Sequence, residues 1–221
     1  MQPPADTPFP LEYAFHLLGD VRGKSVLEYG CGDGRNTILL AYRGGGVIGI
    51  DISPELIDLA RRRMQVNGMC ADLRVASAYE TGLPEAIVDV VFAIAILHHL
   101  ELELARKEIL RVLRPGGVLI LQEPLRDSQL VRTLRKMVPY RNPYVSPFER
   151  PLTTPELVAL AQGMTRTNYR RFALPFISVL KWAPAPVMFW AARMDGQILK
   201  VCPWLERYAG VVVMRLVRSC G

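Results

Sequence analysis

The run Glu28-Tyr29-Gly30-Cys31-Gly32-Asp33-Gly34 sets three glycines at every second position, with acids before and among them. It follows an apolar stretch with a strand pattern and opens one with a helix pattern. Glycines at such a turn let the backbone bend sharply and approach a ligand with no Cβ in the way. Asp51 lies 21 residues past Gly30, at the end of the next apolar stretch. A carboxylate there can accept both hydroxyls of a ribose. The combination points to an adenosine-containing ligand.

Three details separate the candidates. The spacing is G-x-G-x-G, not the G-x-G-x-x-G/A of dinucleotide sites. Glu28 and Asp33 would stand beside a pyrophosphate at an electrostatic cost, whereas a ligand with an ammonium and a sulfonium welcomes them. No G-K-[ST] follows, so a Walker A phosphate loop is excluded. S-adenosyl-L-methionine fits best, with Glu28, Gly30, Cys31, Gly32, Asp33 and Asp51 as expected contacts.

The surrounding elements must hold this loop at one rim of a sheet. Strand patterns occupy 24–30, 47–53, 73–79, 88–95 and 118–124, with helix patterns at 34–43, 54–67 and 101–113. Leu104, Ile109, Val112 and Leu113 form the apolar stripe of the last of these. Ser53-Pro54-Glu55 reads as an N-cap with proline at the first helical position. Near-continuous apolar strands alternating with helices mean a parallel sheet covered on both faces. Its ligands bind at the carboxyl ends of the strands. Before this core, 9–20 reads as a short helix. After it, 125–138 reads as helical, 138–152 as a loop or lid, 154–163 as a helix, and 167–174 and 211–219 as strands. The chain is thus expected to be a single domain over 1–221: an N-terminal arm and helix (1–23), a cofactor-binding core (24–124), and a C-terminal part with an acceptor cap and the last strands (125–221).

On these residues the chain resembles class I S-adenosylmethionine-dependent methyltransferases, the group that includes the ubiquinone/menaquinone-biosynthesis type and many small-molecule enzymes. Glu28, Gly30, Gly32 and Gly34 match the first motif, [D/E]-x-G-x-G-x-G. Asp51 matches the acid ending strand two, and Ile52 stands where a side chain usually packs on adenine. Residues 76–84 stand at the G-D-A-x-x-L-P-F motif. Ser77 replaces the Asp that often binds the adenine amino group, and the Ala78 backbone faces the ring. VFAIAILHHL (91–100), which contains Ala93, matches the fourth motif, and Leu113-Arg114-Pro115-Gly116-Gly117 the fifth. These motifs cover 24–124. The resemblance implies an α/β fold, a Rossmann-like doubly wound seven-stranded sheet of order 3-2-1-4-5-7-6 with a variable C-terminal cap. It also implies cofactor contacts from Tyr13, Ile52, Ser77, Ala78 and Ala93, with S-adenosyl-L-homocysteine as product. Tyr13 and His16, on the N-terminal helix, would close over the methionine part.

Methyl transfer asks mainly for alignment of nucleophile and sulfur. A base is required only if the acceptor must lose a proton. His98 and His99 follow strand four, and Glu123 ends strand five, so all three are candidate catalytic residues on the acceptor side of the rim. No N-P-P-[YF] follows strand four, so the amide or ring-nitrogen specificity of related DNA and protein methyltransferases is not supported.

Charge divides the chain. Residues 1–124 carry 12 basic and 16 acidic side chains, residues 125–221 carry 15 and 5. The basic part holds Phe172, Phe176, Trp182, Phe189, Trp190 and Trp204 among prolines and apolar runs, with Lys181 the one basic residue between 172 and 192. Nucleic-acid platforms interleave aromatics with many basic groups, so nucleic acid is disfavoured as a partner. A pocket for a small hydrophobic or aromatic acceptor, apolar helices covering the sheet, and weak peripheral contact with a membrane all remain. The expected function is methyl transfer to such an acceptor. The alternatives are a lipid or quinone-precursor methyltransferase at the membrane surface, an RNA or protein methyltransferase, and a catalytically silent adenosyl-binding partner protein. Four cysteines and three histidines lack metal spacing, so no metal site is expected. The 172–192 run is broken by Lys181, Pro184 and Pro186, which argues against a span. A cytoplasmic location is expected, with the inner membrane face as the peripheral option. Oligomeric state is open.

Overall fold

The computed structural model describes residues 2–127, 150–180 and 183–220. Among these residues one sheet carries seven strands: β1 (Ser25–Tyr29), β2 (Gly46–Asp51), β3 (Asp72–Val75), β4 (Val88–Ile94), β5 (Leu113–Pro124), β6 (Met164–Phe172) and β7 (Val211–Arg218). Their order is β3-β2-β1-β4-β5-β7-β6, as expected. The first five strands are parallel, and β7 runs antiparallel to both β5 and β6. The order reverses between β1 and β4, so their carboxyl ends open a crevice at the topological switch point.

The helices are α1 (Pro10–Leu18), α2 (Arg35–Tyr42), α3 (Pro54–Val66), α4 (Leu102–Val112), α5 (Thr154–Leu160), α6 (Pro175–Val179) and α7 (Ala185–Val201). The alternation of side chains along a strand divides the apolar strands between two cores. Val26, Val90, Phe92, Ile120 and Val213 pack with Tyr13, Phe15 and Leu18 of α1 and Leu40 of α2. Leu27, Val91, Ala93, Leu119 and Leu121 pack with Ala105, Ile109 and Val112 of α4 and Leu157 and Leu160 of α5. Each fully buried aliphatic or aromatic side chain contributes about 1.5–3 kcal/mol. At the opposite end of the sheet, Asp89 accepts from Ser25 N at 2.8 Å and pairs with Arg114 at 2.6 Å, tying β1, β4 and β5 together below the crevice.

Several boundaries differ from expectation. The third strand ends at Val75, because residues 76–80 turn away from β2. Ser77 Oγ accepts from Tyr79 N at 3.1 Å, and the buried Tyr29 hydroxyl donates to the Ala78 carbonyl. Leu104 of α4 is exposed; the buried stripe is Ala105, Glu108, Ile109 and Val112. Glu108 is tolerated inside because Thr81 N (2.8 Å), Thr81 Oγ1 (2.6 Å) and Arg111 (2.7 Å) satisfy its carboxylate. The fifth strand begins at Leu113 and the sixth at Met164, both earlier than expected. The 172–192 run ends one strand and supplies α6 and the start of α7. Most of the helix expected at 125–138 and of the loop expected at 138–152 falls outside the described residues.

The glycine loop is packed against α3. A Cβ on Gly34 would sit 2.8 Å from the Cβ of Ala60, and φ there is +79°. A left-handed L-residue costs about 1–2 kcal/mol, and overpacking adds about 1–3. Gly34→Ala should therefore lower the urea-unfolding free energy by about 2–4 kcal/mol; an unchanged midpoint would contradict this packing.

Candidate functional site

The carboxyl end of β1 runs into the loop Gly30–Gly34, and the loop is fastened on three sides. Cys31 N donates to Ile50 O at 2.8 Å, joining the loop to β2. Gly32 N donates to Asp51 Oδ2 at 2.9 Å, and Ser53 N donates to Asp51 Oδ1 at 3.0 Å. Asp51 thus binds the glycine loop and the start of α3 with one lone pair on each oxygen, and it remains half-exposed at the crevice. A Cβ built on Gly30, with φ +77°, would lie 2.7 Å from Ile96 Cγ1. A Cβ on Gly32 would meet nothing within 4 Å. The loop is therefore crowded beneath and open toward the crevice.

The two loop acids have different surroundings. Asp33 pairs with Arg35 at 2.9 Å and Arg63 at 3.0 Å, which clamps the loop to α2 and α3. Glu28 is buried on the α2 side of β1, and the Thr37 hydroxyl donates to it. Burial pushes the Glu28 carboxyl up to about 8, against the lowering effect of Thr37 and Asn36. Burial, reinforced by the nearby carboxyls, pushes the Cys31 thiol up to about 12, so it is no nucleophile near neutral pH.

The Glu28 shift has a signed consequence. Its folded pKa lies above its unfolded value, so the folded chain holds a proton that the unfolded chain loses. Its stabilising contribution, full below pH 4.5, fades as pH rises through about 8. Stability of the free protein should fall across that window, and Glu28→Gln should flatten the fall. Denaturant titrations of both proteins at several pH values give the slopes; identical slopes would contradict the assignment.

Glu123 and His98 come together across the β4–β5 edge. Glu123 ends β5 fully buried, and its Oε1 accepts from Ile96 N (3.0 Å) and Leu97 N (2.7 Å). Its Oε2 lies 2.7 Å from His98 Nδ1 and 3.4 Å from His98 N. One carboxylate therefore shapes the 3₁₀ turn Leu97–His99 and fixes the imidazole, leaving Nε2 as the other ring nitrogen. The His99 ring lies tilted by 38° against that of His98, with centroids 4.0 Å apart. His98 also lines a cavity of about 380 Å³, with Leu100, Leu102, Arg106, Arg150 and Leu152 among its walls. Arg150 N donates to the His98 carbonyl at 3.1 Å, and the Arg150 guanidinium pairs with Glu156.

The other expected residues lie as follows. Ile52 is 74% exposed next to Asp51. Ser77 engages its hydroxyl in its own turn, and Ala78 is held by Tyr29. Ala93 is fully buried inside β4. Tyr13 packs against Phe172 at 5.6 Å and His16 at 6.0 Å, with Arg170 5.4 Å over its ring. The structure thus gathers Glu28, Gly30, Cys31, Gly32, Asp33 and Asp51 in one connected loop, and His98, His99 and Glu123 in one turn. The sequence reading missed Thr37 and Arg63, which fall in no recognisable motif, and Tyr29 and Ile96, which lie inside motifs but at positions that carry no chemistry of their own. It also missed Gln122, whose Oε1 is buried without a hydrogen-bond partner on β5. Among the described residues, no group of three or more His, Cys, Asp or Glu is placed to hold a metal ion.

The chain is similar to known proteins in sequence and in fold. Residues 27–121 match the model of a family described as a methyltransferase domain. Over 119 residues the chain is 38% identical to trans-aconitate 2-methyltransferase of Azoarcus sp. (strain BH72), covering 52% of this chain and 45% of that protein. The chain spans about half the length of the first curated relatives it matches. Among solved structures, geranyl diphosphate C-methyltransferase from Streptomyces coelicolor A3(2) is similar with a TM-score of 0.70 at 16% identity, covering 94% of this chain and 78% of that one. The [4+2]-cyclase SpnF is similar with a TM-score of 0.63 at 20% identity, covering 92% and 77%. These two likenesses show the fold.

Proposed function

We propose that this chain is a class I enzyme that transfers the methyl group of S-adenosyl-L-methionine to a small, hydrophobic or aromatic acceptor. The observation that carries the reading is the Asp51 carboxylate, tied to Gly32 N and Ser53 N at the switch point beside the open face of Gly32. The family match over 27–121 spans this site. The residues fit the cofactor: the space above Gly32 admits a ligand against the backbone, and Asp51 keeps lone pairs for a ribose diol.

When bound, S-adenosylmethionine supplies a sulfonium-linked methyl group that needs no activation. Asp51 would hold the ribose hydroxyls and the exposed Ile52 would cover one face of the adenine, while Glu28, buried against Thr37, would support the loop from beneath. Glu123 accepts the Nδ1 proton of His98 and so selects the tautomer whose Nε2 is a proton acceptor. His98 then removes a proton from an acidic hydroxyl of the acceptor as attack proceeds. Glu123 is a positioning residue, since its carboxylate is fully buried against the 96–98 backbone. The leucines and arginines around the His98 cavity orient the acceptor. The family-level likeness gives no reason to assign the chain to ubiquinone or menaquinone synthesis.

Fold alone does not choose the reaction, because a [4+2]-cyclase shares it. The test is a mass-spectrometric screen of phenols, carboxylic acids, amines, quinone precursors and thiols with the methyl donor. The expected result is an acceptor heavier by one methyl group, with equimolar S-adenosylhomocysteine. Donor binding with no methylated product across the panel would favour a silent adenosyl-binding protein.

A further inference from the structure

We propose that α6 and α7 form a docking surface for an anionic lipid bilayer. The inference is independent of the methyl-transfer reading. Helix α7 is fixed in rotation by Asp195, which is buried and accepts from Ala173 N at 2.9 Å and Leu174 N at 2.8 Å at the end of β6. Ala191, Gly196 and Leu199 are buried on the same side. An ordinary surface helix would then turn polar side chains outward. This one turns out Val187, Phe189, Trp190 and Met194, with Phe189 44%, Trp190 65% and Met194 59% exposed. Val187, Trp190 and Met194 line a groove together with Phe176 and Leu180. Trp204, in the turn after α7, is 61% exposed.

The charges beside this face say what covers it. Arg193, Lys200 and Arg207 are exposed along it. The Arg193 guanidinium lies 5.7 Å from the Phe189 ring, and that of Arg207 lies 5.8 Å from the Trp204 ring. Asp195 is turned inward, so Glu206 is the one acid that dilutes the positive charge among the described residues of 183–208. Exposed aromatic rings with guanidinium groups over them are what an interfacial helix presents: rings at the acyl boundary and cations at the phosphates. Among the described residues, no helix is long and apolar enough to cross a membrane. The contact is therefore one of lying on the surface. The patch follows the carboxyl end of β6, the edge strand of the sheet.

Co-sedimentation of the whole protein with vesicles of phosphatidylcholine and phosphatidylglycerol, at low and high salt, tests the proposal. Binding should appear at low salt, fall at high salt, and be much weaker with phosphatidylcholine alone. Trp190→Ser should lower partitioning about tenfold, and Arg193→Glu about fivefold or more. Arg62→Glu on the exposed side of α3 makes the same charge change elsewhere and should alter it little. Thermal melting confirms that each variant is folded. No sedimentation at low salt overturns the proposal, as does equal loss from Arg62→Glu and Arg193→Glu, or a dimer that Trp190→Ser dissociates, which would assign the face to a second copy.

Discussion

Replacing His98 with alanine lowers kcat at least tenfold on a hydroxyl or phenol acceptor, while affinity for S-adenosylhomocysteine stays within about twofold of wild type. A positioned general base contributes about 10²–10⁴ in rate, and its loss acts on the transition state rather than on ground-state binding. Glu123→Gln should also lower kcat, by a different route. A carboxamide in that position can no longer accept from the 96–98 backbone at both atoms, and its amino group would oppose the Nδ1 proton of His98. The wrong tautomer then places a proton on Nε2, where the acceptor needs a lone pair. A merely structural role for Glu123 would lower stability without altering the pH profile; the positioning role predicts that Glu123→Gln also shifts the basic dependence of kcat. His98→Ala and Glu123→Gln both within twofold of wild type would leave alignment alone as the source of the rate, with the proton lost to water after transfer.

The second large effect concerns Asp51→Ala. The side chain does two things at once: it anchors Gly32 N and Ser53 N, and it offers its remaining lone pairs to the ribose. Hydrogen bonds to a charged group contribute about 1.5–3 kcal/mol, so cofactor affinity should fall about 10- to 150-fold. Fold stability should fall less, because Asp51 is half-exposed and Cys31 N still bonds Ile50 O. Calorimetry with S-adenosylhomocysteine on the folded variant measures this. Unchanged affinity would remove Asp51 from the site.

The features legible in the sequence are those whose partners are near in the chain. The glycine loop and Asp51 belong to one strand–helix–strand unit, so their spacing is enough to place them together. Apolar runs divided by helices were enough to place five parallel strands. The His98–Glu123 contact was not legible as a pair. Each residue stood out alone at the end of a strand, but their hydrogen bond exists only because β4 and β5 are neighbours, 25 residues apart in sequence. The ion pairs of Asp33 were equally hidden: Arg35 and Arg63 meet its carboxylate, and Arg63 is one basic residue in a run of three that gives no sign of which turns inward. Leu104 looked like part of a buried stripe because a leucine is apolar; the position that packs inward is Glu108, and its neutralising partners lie on another segment and one helical turn away.

Calorimetric titration of the protein with S-adenosylhomocysteine and with NAD tests the central claim most directly. One equivalent of S-adenosylhomocysteine should bind with micromolar affinity, and NAD should bind at least about 100-fold more weakly, a difference of about 2.7 kcal/mol. NAD binding as tightly as S-adenosylhomocysteine, or no binding of the adenosyl ligand to the folded chain, would contradict the account of the glycine loop on which the rest stands.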